Sequence, residues 1–148
     1  MAQSTSEEIS KKVLGGETLE NWDLSGLDLS EGTFDGAMMS GSDLRMANLR
    51  SASLDGANLS NANLEGADLR DSSLKNANLA EANLQGADLR DANLDGAYLK
   101  GANTKFAAMK GAILCNTTMP DGRIEYSGCA VTRIEDALKK IKELLEKK

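Results

Sequence analysis

The chain has 148 residues, enough for one domain with a moderate core, and its net charge is −6. It has no histidine, so the usual acid–base residue of enzymes is missing, and we expect no catalytic residues, no cofactor and no bound metal. The charge is −2 over residues 1–20, −6 over 21–121 and +2 over 122–148, and this acidic body weakens the case for non-specific nucleic-acid binding, so we expect no nucleic-acid partner.

The first 20 residues contain no apolar run long enough for a signal peptide or a membrane span. We therefore expect a cytoplasmic protein that has no membrane partner. The periplasm or the thylakoid lumen is the alternative, if a signal has been removed. Residues 4–14, STSEEISKKVL, predict a short helix with a capping box at its start and a stop at Gly15-Gly16. Residues 1–21 are predicted to form an amino-terminal capping helix and lead-in.

From residue 22 to residue 121 the sequence repeats every five residues. The central position of each quintet, here called the leucine position, falls at every fifth residue from 24 to 119, which gives 20 quintets. It holds 15 leucines, three methionines, one phenylalanine and one threonine. Alanine stands two residues earlier in 14 quintets, Asn or Asp lies between them in 12, and glycine stands two residues later in nine.

A period of five fits neither a straight helix nor a straight strand. Five residues turn a helix by about 500°, so the leucines would cover every side of it, and in a strand they would alternate between faces. The pattern is satisfied if the chain bends once per quintet, with Ala and Leu inward, Asn or Asp outward to solvent and glycine at the corner. A chain that bends in this way coils into an all-β solenoid.

The size of one coil follows from a longer recurrence. ADLRD at 67–71 returns at 87–91, 20 residues later, which predicts four quintets per coil and about five coils. The rod would be roughly 24 Å long at the spacing of neighbouring strands. The predicted core includes the following residues: Leu24, Leu29, Phe34, Leu49, Leu69 and Leu89. Trp22 is predicted to cap the first coil.

The same spacing aligns Arg50, Arg70, Arg90 and Lys110 in one outward column. This column could be an anion-binding or nucleic-acid stripe. Aspartates lie one or two residues away in the same quintets, so we interpret it as a solvated face that neutralises its own charge.

Beyond the repeat, residues 122–148 are predicted to form a turn and an amphipathic helix. Pro120-Asp121-Gly122 has turn chemistry and ends the coils. Thr132 and Glu135 form a capping-box pattern, and apolar residues then recur at helical spacing over roughly 133–146. We expect this helix to pack on the end of the rod, and a partner-binding or dimerisation helix is the alternative.

The tandem A(D/N)Lxx quintets resemble the pentapeptide-repeat family, and CNTTMPDG at 115–122 followed by Gly128-Cys129 is similar to the carboxyl-terminal segment of its cyanobacterial members. The resemblance implies a right-handed quadrilateral β-helix with helical caps. It also suggests a disulfide between Cys115 and Cys129, which would contribute about 3 kcal/mol. Two reduced thiols in a reducing cytosol remain the alternative.

The functional expectation is a non-enzymatic structural or protein-interaction module with a protein partner that the sequence does not identify. Because some family members resemble duplex DNA and bind DNA gyrase, conferring quinolone resistance, a gyrase-binding DNA mimic is the alternative. Capped ends favour a monomer, with a homodimer as the alternative.

Overall fold

A computed structural model describes residues 5–147, with the backbone alone at residues 131–134. Its helices and strands are α1 (Thr5–Leu14), β1 (Thr117–Thr118), β2 (Ile124–Glu125) and α2 (Val131–Glu146). Between α1 and β1 the chain forms the repeating rod. Ser4, the first residue of the predicted amino-terminal helix, lies outside the described residues.

The rod is built by parallel pairing between residues that are 20 apart in the sequence. Sixteen parallel bridges run in steps of five residues, from Asp23 with Asp43 to Tyr98 with Thr118. Backbone hydrogen bonding between successive turns begins at Leu19, whose N–H donates to the Met38 carbonyl at 2.8 Å. The chain therefore returns to the same lateral position after every four quintets, as the recurrence of ADLRD predicts.

The corners of the rod require a left-handed backbone. Every fifth residue from 21 to 116 has a positive φ, and nine of these 20 corners are glycine while six are Asn or Asp. These residue types tolerate the left-handed region best, because glycine lacks Cβ and the Asn and Asp side chains can hydrogen-bond locally. The pentapeptide period is thus set by one left-handed corner in each quintet.

The interior holds two kinds of apolar side chain, one from each predicted inward position. Leucine positions from 24 to 99 are at most 1% exposed, and the alanines two residues earlier are buried beside them. The structure places all six predicted core residues here: Leu24, Leu29, Phe34, Leu49, Leu69 and Leu89. Trp22 is half-buried against this core, and the Lys12 ammonium lies 5.8 Å from the centre of its ring.

Ser42 is a buried serine at an alanine position, and its hydroxyl has no hydrogen-bond partner within residues 5–147. Since an unpaired buried hydroxyl is destabilising, Ser42→Ala is expected to raise the free energy of unfolding by about 1 kcal/mol. Ser72 is the matched control, because its hydroxyl donates to the Leu69 carbonyl at 2.7 Å. Urea unfolding followed by circular dichroism should show no gain for Ser72→Ala, and equal gains at both sites would contradict the assignment.

The Asn and Asp side chains before the leucine positions have a structural role that the sequence analysis missed. All twelve accept a hydrogen bond from the backbone N–H two residues later, at 3.0–3.2 Å. Each side chain closes a local turn that leads into the left-handed corner. These residues face outward, as predicted, and the hydrogen bond is an additional role.

Replacing Asn63 by lysine tests this role. The Asn63 side-chain oxygen accepts from the Glu65 N–H at 3.2 Å and from the Asn83 amide at 3.3 Å, and lysine has no acceptor. We expect Asn63→Lys to lower the free energy of unfolding by about 1 kcal/mol in a urea titration. Asn63→Asp keeps the acceptor and should remain close to the wild type, whereas equal losses for the two variants would exclude the turn as the cause.

α1 closes the amino end of the rod. It ends in a glycine motif in which the Gly16 N–H donates to Val13 and the Glu17 N–H donates to Lys12. Ile9 is 7% exposed within the core cluster, and the Ser10 hydroxyl accepts the Thr33 N–H at 2.9 Å. The leucine positions beneath it are consequently sealed from solvent.

The carboxyl end is built differently. The Gly122 N–H donates to the Met119 carbonyl at 2.8 Å, so the chain reverses, and β2 pairs antiparallel with β1. α2 begins at Val131 after an extended Ala130, which makes no side-chain capping bond. The predicted capping box is therefore wrong, because Thr132 lies inside the helix rather than before it.

Candidate interaction surface at the carboxyl-terminal end

The charged flank of the rod is internally paired. Arg70 lies 2.7 Å from the Asp68 carboxylate and 3.7 Å from that of Asp88, and Arg90 lies 2.6 Å from Asp88. Hydrogen bonds from these arginines lower the pKa of both aspartates. The arginine column is therefore neutralised by its neighbours at neutral pH and is a poor anion-binding stripe.

A second ion pair shows the same effect more strongly. Arg45 contacts Asp43 at 2.6 Å, and its hydrogen bonds lower the pKa of that carboxyl from 3.8 to about 2. Carboxylates held ionised in this way carry no proton near neutral pH, so they are poor candidates for acid–base chemistry.

Most of the large exposed apolar side chains lie in the carboxyl-terminal third of the chain. Of the twelve large apolar side chains that are exposed within the described residues, nine lie between residues 98 and 148. These nine are Tyr98, Phe106, Ile113, Ile124, Tyr126, Leu138, Ile141, Leu144 and Leu145. They lie in the last two coils and the tail, which makes this end of the chain the candidate interaction site.

The last coil, residues 102–119, leaves the core column open. Thr104, Met109 and Leu114 stand at leucine positions but are half-exposed, whereas the leucines of earlier coils are buried. Within residues 5–147 their backbone N–H groups donate no hydrogen bond to another backbone group. In the preceding coil, the N–H groups at the leucine positions all donate to backbone carbonyls of the last coil. The rod therefore ends in an apolar, partly unpaired face.

α2 does not cover this face. Its described side chains, residues 135–147, are all exposed, and the four large apolar ones are 53–63% exposed. The predicted packing of the carboxyl-terminal helix on the rod is therefore wrong. The hairpin and the Cys115–Cys129 disulfide tie the chain to one corner of the last coil just before the helix begins.

The structure joins Cys115 and Cys129 by a disulfide, the pairing that the resemblance suggested. Gly128 donates its N–H to the Leu114 carbonyl at 3.0 Å, and a Cβ at this glycine would lie 2.6 Å from the Leu114 nitrogen. Glycine is required here because the tail packs directly on the backbone of the last coil.

An open groove of about 460 Å³ separates α2 from the rod. It is lined by Cys115, Asn116, Tyr126, Cys129, Ala137, Leu138 and Ile141. The lining is mostly apolar, so the groove is suited to an apolar side chain of a partner rather than to an ionic ligand.

Phe106 is a functional candidate that the sequence analysis did not single out. It occupies a corner with φ of 61°, yet it is 86% exposed. A bulky side chain in the left-handed region is strained, and most corners avoid the strain with Gly, Asn or Asp. In the sequence, the only sign of this site was an aromatic residue at a position of the repeat where glycine is most common.

Within residues 5–147 no group of side chains has the ligand set of a metal site. The two cysteines are oxidised in the disulfide, so neither supplies a thiol nucleophile in this state. Neither described helix has the length and hydropathy needed to cross a bilayer.

Comparison with known proteins agrees with this architecture. The family model for pentapeptide repeats matches in eight copies, over residues 19–56, 52–91 and 77–116. No curated protein matches the sequence.

Solved structures of cyanobacterial proteins are similar to the chain. HetL of Nostoc sp. strain PCC 7120, a pentapeptide repeat protein involved in heterocyst differentiation regulation, is 30% identical over 74% of this chain, with a TM-score of 0.65. The chain spans 60% of the length of HetL. The pentapeptide repeat protein alr5209 of Nostoc PCC 7120 is 35% identical over 72% of this chain and 89% of its own, with a TM-score of 0.56.

A more distant structure is QnrB1, a plasmid-mediated fluoroquinolone resistance protein. It is 20% identical over 82% of this chain and 85% of its own, with a TM-score of 0.32, and this likeness carries no functional argument. The family model and the two Nostoc structures together establish that the chain belongs to the pentapeptide-repeat family.

Proposed function

We propose that the protein is a non-enzymatic interaction module, a rigid rod that binds a protein partner through its carboxyl-terminal end. The observation that carries the proposal is that nine of the twelve large apolar side chains exposed within the described residues lie between residues 98 and 148, where the last coil is open. Pentapeptide-repeat proteins are generally structural or interaction modules, which supports the same conclusion. The role of HetL in the regulation of differentiation is consistent with action through a protein partner.

Affinity capture from native lysate, with three forms of the full chain as bait, tests the proposal. The wild type and Leu14→Ser should retain the same partner, because Leu14 is 77% exposed at the opposite end of the rod. The double variant Leu138→Ser/Ile141→Ser removes two apolar side chains of the groove and should lose that partner. Equal capture by all three baits would place the binding surface elsewhere.

We infer that residues 22–121 form a right-handed quadrilateral β-helix of about five coils, with residues 1–21 closing the amino end and 122–148 forming the tail. The parallel bridges between residues 20 apart and the left-handed corner at every fifth residue support this organisation. Right-handedness is inferred from the family to which the chain belongs.

Gyrase binding by DNA mimicry remains the second candidate, favoured by the acidity of most of the rod. Residues 1–95 carry 7 basic and 17 acidic side chains, a net charge of −10. A supercoiling assay decides between the candidates, because a DNA mimic should inhibit gyrase at micromolar concentrations. Full gyrase activity at those concentrations would end this alternative.

The disulfide also bears on localisation. Disulfides persist in oxidising compartments and are rare in a reducing cytosol, so the redox state of Cys115 and Cys129 in the cell distinguishes the cytoplasm from the alternative, the periplasm or the thylakoid lumen. Trapping of free thiols in acid-quenched cells measures the redox state, and two alkylated cysteines would favour the cytoplasm.

A further inference from the structure

We propose that one side of the rod binds a neutral, extended polysaccharide, a β-linked glucan chain that lies along the rod axis. This side, here called the neutral face, consists of the outward side chains of residues 36–41, 56–61, 76–80 and 96–99. The neutral face shares only Tyr98 with the nine exposed apolar side chains near the carboxyl-terminal end, so it is a separate surface.

The neutral face carries no charged side chain, although 27% of the residues in the chain are charged. Its four segments are GAMMSG, GANLSN, NANLA and GAYL. The two adjoining sides both carry charges, with Asp43 and Arg45 on one and Asp55 and Lys75 on the other. A phosphate-bearing ligand would find no cation on the neutral face, and a charged protein surface would find no complementary charge. The composition therefore favours a neutral ligand.

Four outward residues form one column along the neutral face. Parallel bridges pair Met38 with Asn58, Asn58 with Asn78, and Asn78 with Tyr98. The N–H groups of the last three donate to carbonyls of the preceding coil at 2.9–3.0 Å, so the column is held in fixed register. At the spacing of neighbouring strands, it is about 14 Å long and has one side chain about every 4.8 Å. An extended β-linked glucan is a flat ribbon whose sugar rings recur at a similar interval, so each coil can contact one ring.

The two asparagines of the column present hydrogen-bond donors to solvent. The side-chain oxygens of Asn58 and Asn78 accept the backbone N–H two residues later, at 3.1 and 3.0 Å. Their amide NH₂ groups have no acceptor within residues 5–147, whereas on an adjoining side the Asn83 amide donates to Asn63 at 3.3 Å. An amide that is fixed through its oxygen and open at its nitrogen is a pre-positioned donor for a sugar hydroxyl.

Tyr98 and Met38 supply apolar contacts at the two ends of the column, where they are 42% and 46% exposed. Five of the eight corners that border the neutral face are glycine, and a Cβ at Gly36 or Gly56 would meet nothing within 4 Å. The face is therefore flat and open along its edges. The C–H groups of a sugar ring can pack on the exposed tyrosine ring while the hydroxyls reach the amides. A flat surface of this kind fits a glucan ribbon better than a compact ligand, which needs a concave site.

Sedimentation of the full chain with microcrystalline cellulose, a neutral β-linked glucan, tests the proposal. The wild type should pellet with the polysaccharide, and soluble cellohexaose should compete for it. Binding should persist at high salt, because no ion pair contributes to it. No binding, or binding that high salt abolishes, would overturn the proposal. A chain that ignores cellulose but still captures its lysate partner would overturn it and leave the proposed function intact.

Two double variants separate the neutral face from effects of fold and charge. Asn58→Asp/Asn78→Asp keeps the acceptor that the local turn requires, as at Asp43, but removes the amide donors. Asn63→Asp/Asn83→Asp makes the same changes, with the same added charge, on the adjoining side. The first variant should raise the dissociation constant for cellulose about tenfold or more, and the second should leave it unchanged. Equal effects of the two variants would contradict the proposed site.

The aromatic contact is tested with the same measurement. Tyr98→Ala should also raise the dissociation constant about tenfold or more. Tyr126→Ala is the matched control, because this second tyrosine of the chain lies off the neutral face and is 53% exposed. Circular dichroism should show both variants folded, since each removes an exposed side chain. Unchanged cellulose binding by Tyr98→Ala would contradict the packing of sugar on this ring, and the proposal with it.

Discussion

Replacing Leu69 by lysine is expected to unfold the rod. Leu69 is fully buried at the middle of the chain, between Leu49 and Leu89 of the neighbouring coils. Its N–H donates to the Asp88 carbonyl at 2.7 Å, so its backbone cannot move away without breaking the pairing between coils. Loss of a buried leucine alone costs about 2–5 kcal/mol.

The lysine adds a second cost, since its ammonium would lie in an interior of leucine and alanine without a carboxylate partner. Burial of an unpaired charge costs several kcal/mol more, and the sum approaches the total stability of a domain, about 5–15 kcal/mol. Far-ultraviolet circular dichroism and urea titration should show a largely unfolded chain at 25 °C.

Ala80→Lys provides the control for added positive charge. Ala80 lies on the surface two quintets further along the chain and is half-exposed, so a lysine there can reach water. The free energy of unfolding of this variant should lie within about 0.5 kcal/mol of that of the wild type. A folded Leu69→Lys protein with an unchanged midpoint would mean that the leucine column is not the core.

The five-residue period of the sequence was sufficient to predict the rod, because each quintet places its side chains in the same way as the last. Leu24 and Leu89 are 65 residues apart, yet both occupy the same inward position, and one geometric rule predicts both. Glycine at nine corners marked where the chain bends, because few other residues tolerate a positive φ. Neither inference required knowledge of distant contacts.

The hydrogen-bonding role of the Asn and Asp residues before the leucine positions could not be inferred from the regular spacing alone. Asn63 lies outward, as predicted, but exposure alone does not reveal that its side chain accepts a backbone hydrogen bond from Glu65. The frequency of Asn and Asp at one position in 12 quintets was the available signal. A position that only faced solvent would have accepted lysine and glutamate as readily.

The position of α2 could not be predicted from its pattern. Amphipathic spacing shows which side of a helix is apolar, but it does not show what covers that side. Leu138 and Ile141 face an open groove because the attachment of Cys129 to Cys115 fixes where the helix begins. That constraint depends on a covalent bond and on the close approach of Gly128 to Leu114, and neither leaves a periodic signal.

Reduction of the Cys115–Cys129 disulfide is expected to release the tail while the central coils remain folded. The bond joins residues 14 apart, and closing a loop of this length contributes about 3 kcal/mol in the chain-entropy model. Few other contacts hold the tail, since Ile124 and Tyr126 are both more than half exposed. Its backbone anchors are the β1–β2 pairing and the bonds from Met119 to Arg123 and from Gly128 to Leu114.

Hydrogen exchange distinguishes a local release from global unfolding, because repeat proteins are stabilised mainly by neighbouring units. After reduction, protection of the Met119 and Gly128 amides should fall by about two orders of magnitude, the equivalent of about 3 kcal/mol. The Leu59 and Leu79 amides, which donate to the Asn78 and Tyr98 carbonyls at 2.7 Å, should keep their protection. Cys129→Ser should reproduce the pattern without reductant. Uniform loss at all four amides would show instead that tail and rod unfold as one cooperative unit, and unchanged protection at Gly128 would show that packing alone holds the tail in place.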